Sequence, residues 1–80
     1  MKYRVTISIK DGVLDPEMET LQRLLKRSGI QGVTQLAHTQ QFDIQFADDV
    51  DATKAESITK AIAEDVLANP EIHDWTIAPA

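Results

Sequence analysis

The chain has 80 residues, of which 42% are hydrophobic and 26% charged, with no cysteine and a net charge of −5. A chain of this length supports one domain, residues 1–80, with a small core that depends on good packing or on association with another chain. The negative charge argues against nucleic acid or an anionic membrane as the partner, because both attract basic surfaces. No apolar run resembles a signal peptide or a membrane span, so we expect a cytoplasmic protein that forms a homodimer or a larger oligomer.

The first third of the chain predicts a strand followed by a helix. Residues 2–10 alternate between apolar and polar side chains, as in a strand with one buried face. Asp15 followed by Pro16 predicts a helix that begins at the proline with the aspartate as its N-cap. Helical apolar spacing continues to Ser28, and Gly29 supplies the left-handed residue that commonly follows a helix end.

The central segment has strand-like patterning in two parts. Residues 33–37 and 41–46 carry the apolar positions, and the polar residues 38–40 between them would form a turn. This turn lacks glycine, asparagine and proline, so its chemistry is weak. Both a hairpin and one bulged strand are compatible with the pattern.

The last third predicts a second helix and a final strand. Thr53 with Glu56 fits a capping box at the start of the helix. Asn69 and Pro70 would end it, and the alternation around Trp75 predicts the strand. The element order is then β-α-β-β-α-β, which predicts an α+β fold of the two-layer sandwich type, with two helices on one face of an antiparallel sheet.

The sequence shows no combination of side chains that predicts catalysis, metal binding or cofactor binding. His38 and His73 are too far apart in the chain to form a short metal-ligand pair. The acidic run at residues 48–51 is explained by the favourable position of carboxylates before a helix, without a calcium or magnesium ion. None of the three glycines forms a phosphate-binding loop. We therefore predict no catalytic, metal or cofactor site in this chain.

Two segments resemble motifs of the PurS family. The segment from Lys10 to Pro16 contains GVLDP before the first helix, and the segment from Leu67 to Trp75 is similar to LANPxIxDY, with tryptophan in place of the usual tyrosine. The residues of these motifs that we expect at an interface are Gly12, Val13, Leu14, Asp15, Pro16, Leu67, Ala68, Asn69, Pro70 and Trp75.

The resemblance implies a non-catalytic subunit of phosphoribosylformylglycinamidine synthase, which converts formylglycinamide ribonucleotide (FGAR) to the amidine (FGAM) in purine biosynthesis. It implies that the chain bridges the synthetase PurL and the glutaminase PurQ and helps ammonia to pass between them. The complex would use ATP, magnesium and glutamine, and this chain would bind none of them.

Alternatives stay open on the sequence alone. An ACT-type sensing module has the same element order and an aspartate-glycine turn after its first strand, and it would bind an amino acid at a dimer interface. Val13 and Leu14 could pack as a hydrophobic staple or stand exposed as an anchor. Trp75 could fill the core, which the small size of the domain favours, or contribute to an interface.

Overall fold

The computed structural model describes all 80 residues. The elements in chain order are strand β1 (Lys2–Ile9), helix α1 (Pro16–Arg27), strand β2 (Thr39–Gln45), helix α2 (Ala52–Ile62) with a π-helical continuation (Ala63–Leu67), and strand β3 (His73–Pro79). The three strands form an antiparallel sheet in the order β2-β1-β3. The α+β class is confirmed. No helix has the length and apolar character needed to cross a membrane.

The inner face of the sheet is set by the alternation in β1. Tyr3, Val5 and Ile7 are buried, whereas the residues between them are at least partly exposed. Val5 is completely buried and lies opposite Phe42 on β2 and Ile77 on β3. Directly opposite residues in an antiparallel sheet point to the same face, so these side chains share the inner face.

Helix α2 and its π-helical continuation cover part of that face. Ala55 and Ala63 are completely buried, because their small side chains allow the helical segment to approach the sheet closely. Thr59 is also completely buried, and its hydroxyl donates to the Ala55 carbonyl at 2.7 Å. The buried hydroxyl is therefore satisfied, and the core contains no unpaired polar side chain.

Both helices begin at an aspartate. The Asp15 carboxylate accepts from the Met18 N–H at 3.3 Å, which confirms the predicted cap of α1. The Asp51 carboxylate accepts from the Lys54 N–H at 2.8 Å. The capping box predicted at Thr53 is therefore wrong, because the cap lies two residues earlier, where a carboxylate also interacts favourably with the helix dipole.

The central segment forms one strand. The strand predicted over residues 33–37 is absent, and so is the turn predicted over residues 38–40, because β2 begins at Thr39. The physical reason is that Thr39 and Gln40, predicted as part of the turn, pair with Ser8 and Ile7 as the start of β2, so the chain does not reverse there to bring residues 33–37 beside β2. Residues 33–37 therefore have strand-like composition but no neighbouring strand in their own chain.

Helix α1 and the segment that follows it, residues 16–38, extend away from the sheet, and we call this region the arm. The radius of gyration is 16.5 Å and the longest dimension 53 Å, whereas a compact chain of this length has a radius of about 12 Å. The Gln22 side chain donates to the Leu36 carbonyl at 3.4 Å, so the returning segment lies along the helix. Both helices were predicted on one face of the sheet, but within one chain α2 makes the main helical contacts with the sheet and α1 makes few.

Candidate functional site

The two sequence motifs meet at one end of the sheet. The Lys10 N–H donates to the Ile72 carbonyl at 2.8 Å, and Ile9 is paired with His73 in the ladder between β1 and β3. Residues 10–16 and 67–75 are far apart in sequence, but they adjoin in the fold. We call this surface the motif junction.

Asn69 organises the second motif through both its side chain and its backbone. Its side-chain oxygen accepts from the Glu71 N–H at 3.0 Å, and its carbonyl accepts from the N–H groups of Ile72 at 3.1 Å and His73 at 2.8 Å. Its own N–H donates to Nδ1 of His73 at 2.8 Å. Because Nδ1 is an acceptor in this bond, the remaining ring proton of the neutral imidazole lies on Nε2. These bonds hold the chain in the tight turn that leads from α2 into β3.

A shallow cavity of about 180 Å³ opens beside the motif junction. It is lined by Ile7, Ser8, Ile9, Asp15, Glu17, His38, Gln40 and His73. One oxygen of the Asp15 carboxylate lies 3.7 Å from Nδ1 of His38, while its other oxygen caps α1. No three histidine or acidic side chains are grouped as metal ligands anywhere in the chain. The arrangement offers hydrogen-bond donors and acceptors to a partner that contacts this end of the sheet.

Three of the ten predicted interface residues belong to the core. Leu67, Ala68 and Trp75 are partly buried and pack against the cluster formed by buried side chains of β1 and of the π-helical continuation of α2. Trp75 packs against the core, as the interpretation of it as a core residue predicts, but it is only half-buried, so its role at an interface stays a prediction. These three residues therefore attach the second motif to the core.

The residues of the first turn lie closer to solvent. Leu14 is 67% exposed, so the interpretation of Leu14 as a hydrophobic staple is wrong, whereas Val13 is half-buried. Gly12 has a φ of +82°, a left-handed conformation that a side chain would strain. The turn is closed by the Val13 N–H, which donates to the Lys10 carbonyl at 3.1 Å. The tight turn and the capped helix thus hold Leu14 out into solvent beside the half-buried Asp15.

Sequence reasoning missed His38 and Gln40 as neighbours of the motif junction. The ladder places Gln40 opposite Ile7 and Thr39 opposite Ser8, which brings the start of β2 to the same end of the sheet as Asp15. Only the register of β1 with β2 carries this information. The polar residues 38–40 are predicted as a turn, and a turn pattern does not specify which end of the sheet those residues adjoin.

An ion pair stands apart from the motif junction, on the outer face of the sheet. Arg4 on β1 donates to the carboxylate of Asp43 on β2 through two nitrogens, at 2.9 Å and 3.5 Å. The hydrogen bond from Arg4 lowers the pKa of Asp43, and the same bond raises the pKa of Arg4. The pair is exposed, so its contribution to stability is small, and that contribution requires Asp43 to be ionised.

The substitution Asp43→Asn is expected to lower the melting temperature slightly at neutral pH. Because the folded pKa of Asp43 lies below its unfolded value of about 3.9, the stabilisation is complete above that value and is lost as pH falls through the folded pKa. Melting curves of wild type and variant should therefore converge in strong acid. Asp74→Asn, an exposed residue of β3 without an ion pair, is the control, and a difference for Asp43→Asn that does not change with pH would contradict the assignment.

Comparison with known proteins places almost the whole chain in one protein family. The family model "PurS: Phosphoribosylformylglycinamidine (FGAM) synthase" matches residues 2–79. The phosphoribosylformylglycinamidine synthase subunit PurS of Mycobacterium leprae is 33% identical over 73 residues, which are 91% of this chain and 87% of that protein.

Solved structures show the same fold. The crystal structure of Methanocaldococcus jannaschii PurS has a TM-score of 0.81 and 34% identity, with 96% of this chain and 92% of that chain covered. A chain in the structure of PurLQS from Thermotoga maritima has a TM-score of 0.69 at 20% identity, with 99% and 95% covered, and so shows the likeness of fold alone. The match along nearly the whole chain and the identity to these relatives show that the chain belongs to the PurS family.

Proposed function

We propose that this chain is a structural subunit of phosphoribosylformylglycinamidine synthase that bridges the synthetase PurL and the glutaminase PurQ. The observation that carries the proposal is the motif junction, where both family motifs form one surface with an exposed apolar side chain, Leu14, at its tip. Protein interfaces have an apolar centre and a polar rim, and an exposed aliphatic residue beside hydrogen-bonding groups matches that composition. The existence of a PurLQS structure from Thermotoga maritima supports assembly of this kind.

In the proposed complex the chemistry belongs to the larger subunits. The glutaminase releases ammonia from glutamine, and the synthetase uses ATP and magnesium to activate the amide oxygen of FGAR with phosphate before ammonia displaces the phosphate to give FGAM. This chain binds none of these reactants. Its role is to hold the two larger subunits together, so that ammonia passes between them with less loss to solvent.

The proposal includes self-association and a cytoplasmic location. The core contains only six buried hydrophobic residues, so association with a second copy would add apolar burial that one chain lacks. The acidic surface disfavours nucleic acid and anionic membranes as partners. The family assignment favours this function over the ACT-type amino-acid sensor.

Reconstitution of FGAR amidation from purified subunits tests the bridging role. Without this chain, we expect glutamine-dependent turnover to fall to background, while turnover with added ammonium chloride continues, because free ammonia does not need the glutaminase to be held in place. Adding back the chain should restore the glutamine-dependent rate. Undiminished glutamine-dependent turnover in its absence would show that the chain does not bridge the two activities.

A further inference from the structure

The outer edge of strand β3 carries backbone groups that have no partner within the chain. The Ala80 N–H donates to the Lys2 carbonyl at 2.9 Å, and the Lys10 N–H donates to the Ile72 carbonyl at 2.8 Å. Opposite residues of an antiparallel ladder alternate between pairs that exchange hydrogen bonds and pairs that do not, so the even-numbered residues of β3 bond to β1. The odd-numbered residues of β3 therefore direct their N–H and C=O groups away from β1.

Trp75 and Ile77 supply the free groups of this edge. Strand β3 pairs with β1 alone, and no turn, loop or cap hydrogen bond of the backbone involves either residue. Pro79 occupies the next odd position, where its missing N–H removes no bond to β1, as is typical of proline in an edge strand. The N–H and C=O groups of Trp75 and Ile77 are therefore available to another chain.

The side chains along the same edge leave apolar surface uncovered. Trp75 and Ile77 pack against the core cluster but are only half-buried, and neither helix packs extensively on β3. Opposite residues of neighbouring strands lie on the same face, so an added strand would place its own apolar side chains beside these two. The edge thus offers main-chain bonds for affinity and apolar positions on alternate residues for specificity, which are the two components of recognition by strand addition.

The charge around this edge indicates which kind of segment fits. Residues 61–80 contain no lysine or arginine, and their acidic residues are Glu64, Asp65, Glu71 and Asp74. Asp74 is exposed on the outer face of β3 and forms no ion pair within the chain. Two copies of this acidic edge would repel each other, whereas a lysine or arginine on an added strand could pair with Asp74. The charge favours a basic segment of a different protein over a second copy.

We propose that the outer edge of β3 accepts an extended basic segment of the synthetase PurL as an additional strand. This proposal rests on the bridging role proposed above. His73 and Trp75 belong both to β3 and to the motif junction or its second motif, so a partner bound at the motif junction can continue along the edge. Of the two proposed partners, the synthetase is the one that uses phosphorylated substrates, ATP and FGAR, and phosphate groups are bound by basic residues.

Amide hydrogen exchange, read residue by residue, tests the proposal. In the chain alone, we expect the N–H groups of Trp75 and Ile77 to exchange at least about tenfold faster than those of Thr76 and Ala78, which bond to β1. Binding of purified synthetase should slow exchange at Trp75 and Ile77 by at least about tenfold. Unchanged exchange in that complex would overturn the proposal. So would protection of the two groups in the chain alone, which would mean that a second copy covers the edge, or protection by the glutaminase and not by the synthetase.

The matched variants Ile77→Pro and Ile77→Ala separate the backbone group from the side chain. Both remove the isoleucine side chain, but only proline removes the outward N–H, and it leaves the bonds between β3 and β1 in place. We expect the proline variant to bind the synthetase about tenfold more weakly than the alanine variant. Equal dissociation constants would overturn strand pairing at this edge. The exchange measurement uses the unaltered chain, so it decides the question even if proline unfolds β3.

Charge reversal tests the basic character of the segment. Asp74→Lys should raise the dissociation constant for the synthetase about tenfold, whereas Asp49→Lys, the same change before α2, should have little effect. Equal effects of the two substitutions would overturn the assignment of a basic segment to this edge. If the chain supports glutamine-dependent FGAR amidation while Trp75 and Ile77 stay unprotected, only strand addition fails. If the chain does not bind the synthetase at all, the bridging role fails with it.

Discussion

Replacing Leu14 by aspartate is expected to raise the concentration of this chain needed for half-maximal glutamine-dependent FGAM synthesis by roughly 30-fold, or about 2 kcal/mol. Leu14 is 67% exposed in the free chain, and a partner subunit that covers it would have to bury a carboxylate without a counter-charge. Titration of each variant into a fixed amount of the synthetase and glutaminase measures the effect.

Two variants separate loss of the interface from loss of the fold. Leu14→Met keeps an apolar side chain of similar volume and should retain activity close to that of wild type. Ala78→Asp adds the same charge on the outer face of β3, opposite Arg4, and should have little effect. Because Leu14 is exposed, its aspartate variant should melt within a few degrees of wild type. If Leu14→Asp supports the wild-type titration curve, Leu14 is not an anchor of the interface.

The sequence predicted most of the secondary structure because the relevant signals are local. The cap at Asp15, the left-handed Gly29 after α1 and the alternation in β1 each depend on a few neighbouring residues, and the structure has all three. The capping box at Thr53 failed because a second acceptor, Asp51, stood two residues away. Local patterns therefore predict that a helix begins in this segment, but the residue at which it begins depends on which of several possible N-cap residues is used.

The parts that could not be predicted depend on contacts between distant residues. The apolar pattern over residues 33–37 resembles a strand, but a hairpin also needs a turn, and Thr39 and Gln40 of the predicted turn pair with β1 instead. The cavity beside the motif junction needed the register between β1 and β2 to bring His38 near Asp15. For the arm, the amphipathic pattern of α1 predicts that it packs against the sheet, whereas in the structure α1 makes few contacts with the sheet of its own chain.

Because the core is small, substitutions of Val5 are expected to have a large effect on the stability of the fold. Val5 is completely buried at the centre of β1 and contacts the cluster formed with Ile7 and Ala63. Val5→Ala removes two methyl groups and leaves a cavity, which should cost about 2 kcal/mol. A domain of this size has a total stability of roughly 4 to 12 kcal/mol, so the melting temperature should fall by about 8 to 16 °C.

Val5→Asp should prevent folding altogether. The carboxylate would be surrounded by Ile7 and Ala63, with Phe42 and Ile77 on the neighbouring strands, and none of these side chains offers a hydrogen bond or a positive charge. Circular dichroism should then show no cooperative melting transition, whereas Thr76→Asp on the exposed outer face of β3 should melt close to wild type. All variants must be compared at one protein concentration, because the proposed self-association would make the melting temperature depend on it. A cooperative transition for Val5→Asp near the wild-type temperature would mean that the centre of β1 contributes little to the core, and that the stability of the chain comes mainly from association with a second copy.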